Sequence, residues 1–139
     1  MSIEENKAVA LRYFTEAWGK GDEAVEDAVI SPNFVDHNPT PGFPPNKEGT
    51  HQFLLHFRQA FPDLQFTLED LLAEGDRVMD RWTMHGTHLG EFLGTPPSGR
   101  KVVFTGIDIL RIVGGQIVES WHIEDQLGAF QQIGLIPNP

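Results

Sequence analysis

The 139-residue chain contains no cysteine, a single tyrosine, and half as many basic as acidic residues, 10 against 20. The lack of cysteine excludes disulfides, thiolate nucleophiles and zinc–thiolate sites together. The shortage of positive charge leaves a formal net charge of -10. A surface of that sign repels phosphate backbones and anionic lipid headgroups, so neither nucleic acid nor membrane is an expected partner. No apolar run approaches the ~18 residues that a membrane span needs. The segment Met1-Ser2-Ile3-Glu4-Glu5-Asn6-Lys7 is charged and lacks the apolar stretch of a signal peptide. A cytoplasmic protein is the default expectation. Motifs are missing too. There is no His-Glu-x-x-His, no Gly-x-Ser-x-Gly, no phosphate loop and no dinucleotide fingerprint. His85-Gly86-Thr87-His88 is a glycine-containing turn rather than a helical ligand pair, so neither a metal nor a cofactor is expected.

What the chain does have is apolar bulk. Ten Phe, three Trp and a 40% hydrophobic composition suffice for one full core, and residues 1–139 read as one domain without repeats or linkers. Ser2 and Glu5 make a capping-box pattern ahead of a first helix. Val9, Tyr13 and Ala17, with Ala10, Phe14 and Trp18 beside them, give it one broad apolar stripe, and Gly19 and Gly21 end it. Asp22 caps a short second helix that Pro32 breaks, and Phe34 to His37 reads as a short strand. After a proline-rich loop, a third helix spans about Lys47 to Phe61, with Phe53, Leu54, Phe57, Ala60 and Phe61 on one face. Beyond Pro62 the period drops to two. Strands are predicted around Leu64 to Leu68, Val78 to His85, Lys101 to Ile112 and Gln116 to Ile123, and a tail helix from Gln126 to Ile133. Helices followed by antiparallel strands make an α+β fold, with the helical stripes buried on one face of a twisted sheet and a cavity at its open end.

The segment Asp108 to Asp125 carries the strongest chemical signal. Asp108 sits among Gly106, Ile107, Ile109, Leu110 and Ile112, where a carboxylate must be solvated, paired or protonated. If Val113 pairs with Ile117 across a three-residue turn, Arg111 opposes Glu119 and Asp108 opposes His122. A two-residue turn instead sets Ile107 against His122 and Asp108 against Trp121. The first register is preferred because it matches opposite charges. Further polar candidates are Tyr13, Asp36, His37, His88 and Asp125, and Trp18, Phe57, Trp82 and Trp121 are candidate apolar walls. Each has a plainer reading. Tyr13 can be core, Asp125 an N-cap, Asp36 or His37 a turn former before Pro39, and His88 a loop hydrogen-bonder. His51 and His56 read as solvated.

Gly86-Thr87-His88-Leu89-Gly90-Glu91-Phe92-Leu93-Gly94, with Pro96-Pro97-Ser98-Gly99-Arg100 after it, resembles the SnoaL-like polyketide cyclases and the related ester cyclases. So do Phe34-Val35-Asp36-His37-Asn38-Pro39, Phe61-Pro62-Asp63-Leu64, Gly115 to Trp121, Asp125-Gln126-Leu127 and Gln132-Ile133-Gly134. The resemblance implies the cone-shaped, cystatin-like α+β roll of nuclear transport factor 2. It also implies cofactor-free acid–base chemistry on a carbonyl compound. In the cyclases an acid of the last strand moves the proton; here that place holds His122, and a histidine of the cyclases falls at Asp108, so acid and histidine look exchanged. Leu11-Arg12-Tyr13 and Ile107 to Arg111 also resemble ketosteroid isomerases, whose oxyanion is held by a Tyr and by an Asp kept neutral in an apolar site, a system that serves as a standard example of such an acid.

These readings converge on a cyclase or isomerase that forms an enolate from a small apolar carbonyl compound. His122, or Asp36 with His37, is the expected base. A protonated Asp108 and Tyr13 are the expected oxyanion donors, and Asp125 would orient the base. Substrate would contact Tyr13, Trp18, Phe57, Trp82, His88 and Trp121. Two alternatives stay open. One is a water-activating hydrolase of the epoxide-hydrolase type, for which Asp80 and Arg81 are the weak signal. The other is a non-catalytic module that binds a ligand or dimerises. The outer face bearing Ile107, Ile109, Trp121 and Ile123 is the expected homodimer surface.

Overall fold

Both halves of the Ser2–Glu5 capping box form, at 3.1 and 3.2 Å. They start α1 (Ile3–Arg12) in the computed structural model, which describes residues 1–137. The first helix does not stay α-helical to its end. Tyr13–Trp18 forms a π-helical turn, so residues five apart, Tyr13 and Trp18, share a face. Asp22 caps α2 (Glu23–Val29) by accepting from the Val25 N–H at 3.1 Å. The chain then enters β1 (Ile30–Asp36) directly. That strand is longer than the sequence suggests. Pro32 is accommodated because β1 lies at the sheet edge, where a missing N–H leaves no ladder bond unmade. Asn46 caps α3 (Lys47–Ala60), which buries Leu54, Phe57 and Ala60 as its spacing predicts.

The remaining strands are β2 (Gln65–Glu74), β3 (Arg77–Thr87), β4 (Lys101–Val113) and β5 (Gln116–Glu124), and α4 (Gln126–Gln132) follows. The sheet order is β1-β5-β4-β3-β2. Four strands are antiparallel, but β1 runs parallel to β5, which corrects the expectation of a wholly antiparallel sheet. The helices cover one face of this curved, unclosed sheet and α+β is the fold class. Residues alternate in burial along β3 and β4, so Val78, Asp80, Trp82 and Met84 face inward with Val102, Phe104 and Leu110. No helix among the described residues is long and apolar enough to cross a membrane.

The β4–β5 hairpin settles the register in an unexpected way. Its turn has two residues, Gly114 and Gly115, both at positive φ (58° and 79°), the pairing that a tight hairpin turn of matching twist requires. Val113 therefore pairs with Gln116. A bulge then takes up Val118 between the Ile112–Ile117 and Arg111–Glu119 pairs. Beyond it Asp108 faces His122, the register preferred from charge matching, reached through a shorter turn plus one extra residue.

Candidate active site

The inner face of the sheet and the helices enclose a hollow of about 70 Å³, enough for about five waters. One end is aromatic, with Tyr13, Trp18, Phe53, Phe57, Phe66 and Trp82 on its wall. Tyr13 and Trp18 reach it together because the π turn brings their rings edge to face at 6.4 Å. The Tyr13 hydroxyl is pushed far above its usual range by burial, so it stays a neutral donor. Trp18 Nε1 is buried without a partner among the described residues and lines the same space. Pro39, Thr40, Phe43 and Pro44 of the proline-rich loop close one side.

The other end is ionic. Asp36 of β1, Asp108 of β4, and His122 and Glu124 of β5 line it. Asp36 is the last residue of β1, and its loop is tied back. The Asn38 N–H donates to Asp36 Oδ1 at 2.9 Å, and Asn38 Oδ1 accepts from the His122 N–H at 3.0 Å. The His122 ring is clamped on both sides. Nε2 lies 2.9 and 3.0 Å from the two Asp36 oxygens, and Nδ1 faces Glu124 Oε1. Burial alone would push this imidazole down. The two carboxylate partners overcome that and raise it to about 10, so His122 is an imidazolium at neutral pH.

Asp108 is built into place by its neighbours. Trp82 pairs with Gly106, and a Cβ on Gly106 would lie 2.3 Å from the indole, so only glycine leaves room for the ring. The indole so seated donates from Nε1 to Asp108 Oδ2 at 2.7 Å. Burial raises the Asp108 carboxyl above the usual carboxylate range. A proton on Asp80, the His122 charge and the Trp82 N–H pull it part of the way back. Across the β3–β4 ladder Asp108 faces Asp80, which is fully buried, with neither oxygen accepting from any donor among the described residues. Burial, and then the adjacent Asp108 charge, drive Asp80 far upward, so it carries a proton.

Of the residues singled out from sequence, Tyr13, Trp18, Phe57, Trp82, Asp36, Asp108 and His122 meet in this hollow. Four do not. His37 is on the opposite face of the sheet, stacked on Trp121 at 4.7 Å with Nε2 3.1 Å from Glu119 Oε1. Trp121 is out there too, under the Arg77 guanidinium, because β5 alternates and His122 takes the inward place. Asp125 is the N-cap of α4, accepting from the Gly128 N–H at 2.9 Å. His88 is fully buried away from the hollow. Its Nδ1 accepts from the Ser98 N–H at 3.1 Å and holds the 88–100 loop, and burial lowers its basicity. The two helix-three histidines are not free in solvent either. His51 Nδ1 lies 2.5 Å from Glu26 Oε1, and His56 Nε2 accepts from the Leu93 N–H at 3.0 Å. Sequence reasoning missed Glu124 and the inward role of Asp80. Glu124 was discoverable, since it is two residues from His122 on one strand and so shares its face.

Asp108, His122 and Glu124 present ligand atoms within 4.8 Å of one another, a spacing that a metal ion could use. The hydrogen-bonding argues against one, because both His122 nitrogens already face carboxylates. Among the described residues the hollow is lined by no arginine or lysine. Arg81 points outward to Asp70 at 2.7 Å, so the Asp-Arg-Asp cluster of the hydrolase alternative is not assembled.

Comparison with known proteins identifies the family and the fold. The chain is 29% identical over 131 residues to the aklanonic acid methyl ester cyclase DauD of Streptomyces sp. (strain C5), covering 89% of this chain and 79% of that one. It is 25% identical over 115 residues to the nogalonic acid methyl ester cyclase of Streptomyces nogalater, with 81% and 82% covered. Among solved structures, TsrD from Streptomyces laurentii superposes with a TM-score of 0.88 at 29% identity, covering 98% of this chain and 99% of that one. A candidate polyketide cyclase from Bacillus cereus ATCC 10987 gives 0.83 at 36% identity, covering 95% and 82%. The family model of the SnoaL-like polyketide cyclases matches residues 8–133, nearly the whole chain, and the chain belongs to that family.

Proposed function

We propose that this protein closes a ring in a small, neutral carbonyl compound by an intramolecular aldol-type reaction, without a cofactor, and that Asp108 is its base. The observation that carries the reading is Asp108 itself. It is a carboxylate raised by burial, held by the Trp82 N–H and opposed by a protonated Asp80, in a largely aromatic hollow. The Trp82 N–H, the protonated Asp80 and the His122 charge all favour the ionised form of Asp108, so in this reading the neutral-donor role expected from the isomerase resemblance passes from Asp108 to Tyr13 and Trp18. A base moved up towards the working pH is better matched to removing a proton from carbon.

In the proposed step Asp108 takes a proton from the carbon beside one carbonyl. The enolate carbon bonds to a second carbonyl carbon of the same molecule, whose C=O becomes an alkoxide. The proton on Asp108 then passes to that alkoxide, and the product is an isomer of the substrate. Tyr13 Oη–H and Trp18 Nε1–H are the donors for the enolate oxygen, and the His122 imidazolium adds a fixed positive charge nearby. His122 with both nitrogens protonated is an acid and not a base.

The test is an aryl-substituted diketone able to close a six-membered ring, incubated in deuterated water. Enzyme-dependent deuterium at the carbonyl-adjacent carbon and ring closure are expected. Label from water incorporated at a C–O bond would point to hydrolysis instead.

Charge restricts the guest. Three carboxylates and one imidazolium line the ionic end, with no lysine or arginine among the described residues to offset them. An anionic ligand meets repulsion as well as desolvation. A neutral aryl keto ester is expected to bind at least about tenfold more tightly than its free carboxylate. Calorimetric titration of both decides this, and equal affinity refutes it.

The outer sheet face supports a second copy of the chain as partner. Ile107 (46% exposed) and Ile123 (76%) lie directly opposite one another there, and Ile109 faces Trp121. Ile123→Asp is expected to convert a homodimer to a monomer in sedimentation while leaving the circular dichroism unchanged. A wild-type monomer at the same concentration rules the interface out.

A further inference from the structure

The β3 strand places a carboxyl where packing alone calls for a hydrocarbon. Asp80 lies between Val78 and Trp82 on the inward face, fully buried, and no donor reaches either of its oxygens among the described residues. The residue across the ladder from it is Asp108. Two carboxyls facing each other in a dry interior cannot both ionise. The one farther from solvent keeps the proton, and its neighbour keeps the charge. Asp80 does not line the hollow; Asp108 does. We propose that Asp80 is a positioning residue whose retained proton is directed at Asp108, fixing the orientation and the basicity of that carboxylate. This rests on Asp108 being the base, but the location of the proton can be measured without any substrate.

Asp108 is faced from every packed element by a titratable group. Asp80 faces it from β3, His122 and Glu124 from β5, Asp36 from β1 and Tyr13 from the π turn. Tyr13 is neutral and His122 is cationic across the neutral range. Asp36 and Glu124 are engaged by His122. That leaves Asp80 as the neutral carboxyl directly across the ladder, whose removal changes Asp108 without changing the net charge around it. Asp80→Asn keeps a donor of the same shape. Asp80→Leu keeps the volume and removes the donor.

The experiment is a carboxyl ¹³C titration of aspartate-labelled protein, with signals assigned through Asp80→Asn and Asp108→Asn. In the wild type, one aspartate signal that vanishes in Asp80→Asn is expected to stay protonated through the neutral range, while Asp108 titrates below it. Asp80→Asn should leave the Asp108 midpoint near its wild-type value. Asp80→Leu should raise it by about one pH unit or more, because the carboxylate loses a donor. The acidic limb of the turnover–pH profile should move up by the same amount, which a purely structural role would not produce. An Asp80 signal that titrates in the ordinary carboxylate range overturns the proposal. So does an Asp108 midpoint unmoved in Asp80→Leu. Should the leucine variant fail to fold, the wild-type and asparagine titrations decide alone. Full turnover in Asp108→Asn alongside the expected titrations would sink the catalytic reading while leaving the proton on Asp80.

Discussion

Asp108→Asn is expected to lower the rate of carbonyl-adjacent proton exchange by roughly 10²–10⁴-fold, the usual contribution of a placed general base. The amide is isosteric and can still meet the Trp82 N–H through its oxygen, so the fold and the Trp82–Gly106 packing should survive. Only the ability to take a proton is removed. Asp108→Leu should be as inactive as the amide, since neither side chain is a base. This separates the two roles that the sequence leaves open. Were Asp108 a neutral donor, asparagine would keep the hydrogen bond and much of the activity while leucine would lose it. Equal and near-complete loss in both supports the base. Retained exchange in Asp108→Asn refutes it.

The second large effect is on stability. His122 rises from an ordinary 6.5 to about 10 on folding because Asp36 and Glu124 hold its proton against burial. A folded state that binds a proton more tightly than the unfolded chain is favoured most where both bind it, below pH 6.5. That advantage then drains away as the pH climbs through the folded value near 10, at about 1.4 kcal/mol per pH unit. From pH 7 to pH 10 the loss attributable to this ring is about 4 kcal/mol. His122→Leu should remove that slope. It should also destabilise the protein at pH 7 by about 3–5 kcal/mol, because Asp36 and Glu124 would be left partly buried, adjacent and uncompensated. Denaturant unfolding of both proteins at pH 6.5, 8 and 10 gives the comparison, with the difference between them isolating His122 from other groups that titrate near 10. Parallel pH dependences in the two proteins would show that the imidazole carries no such linkage.

Period-two and period-3.6 patterns were enough to read the elements, because burial on one face dictates them. The helical stripe around Phe57 and the inward set of β4 are the clearest cases. The pairing of Asp108 with His122 was legible from charge matching between Arg111 and Glu119, even though the assumed turn length was off by one. What failed was anything that depended on which way a residue faces near a break in periodicity. His37 follows the last residue of β1 and turns outward, whereas Asp36 turns in. Trp121 reads as a wall by residue type, but the strand that turns His122 inward must turn its neighbour outward. The apolar spacing puts Tyr13 and Trp18 on adjacent rows of an α-helix, and the π turn that unites them leaves no mark in it. Asp80 facing Asp108 depends on the register of β3 against β4 across a long loop, which local sequence does not specify.

Val118 touches none of the chemistry, yet it determines which face of β5 meets the hollow. As the unpaired residue between a two-residue turn and the ionic end of β5, it works like a one-step phase shifter in the strand. Everything beyond it is half a pleat out of step with the turn. The hairpin tip can therefore keep the tight turn whose twist matches its strands, while the far stretch stays free to show its histidine and glutamate, rather than its tryptophan and isoleucine, to the interior. Geometry at the tip and chemistry in the hollow are thus uncoupled by one inserted residue.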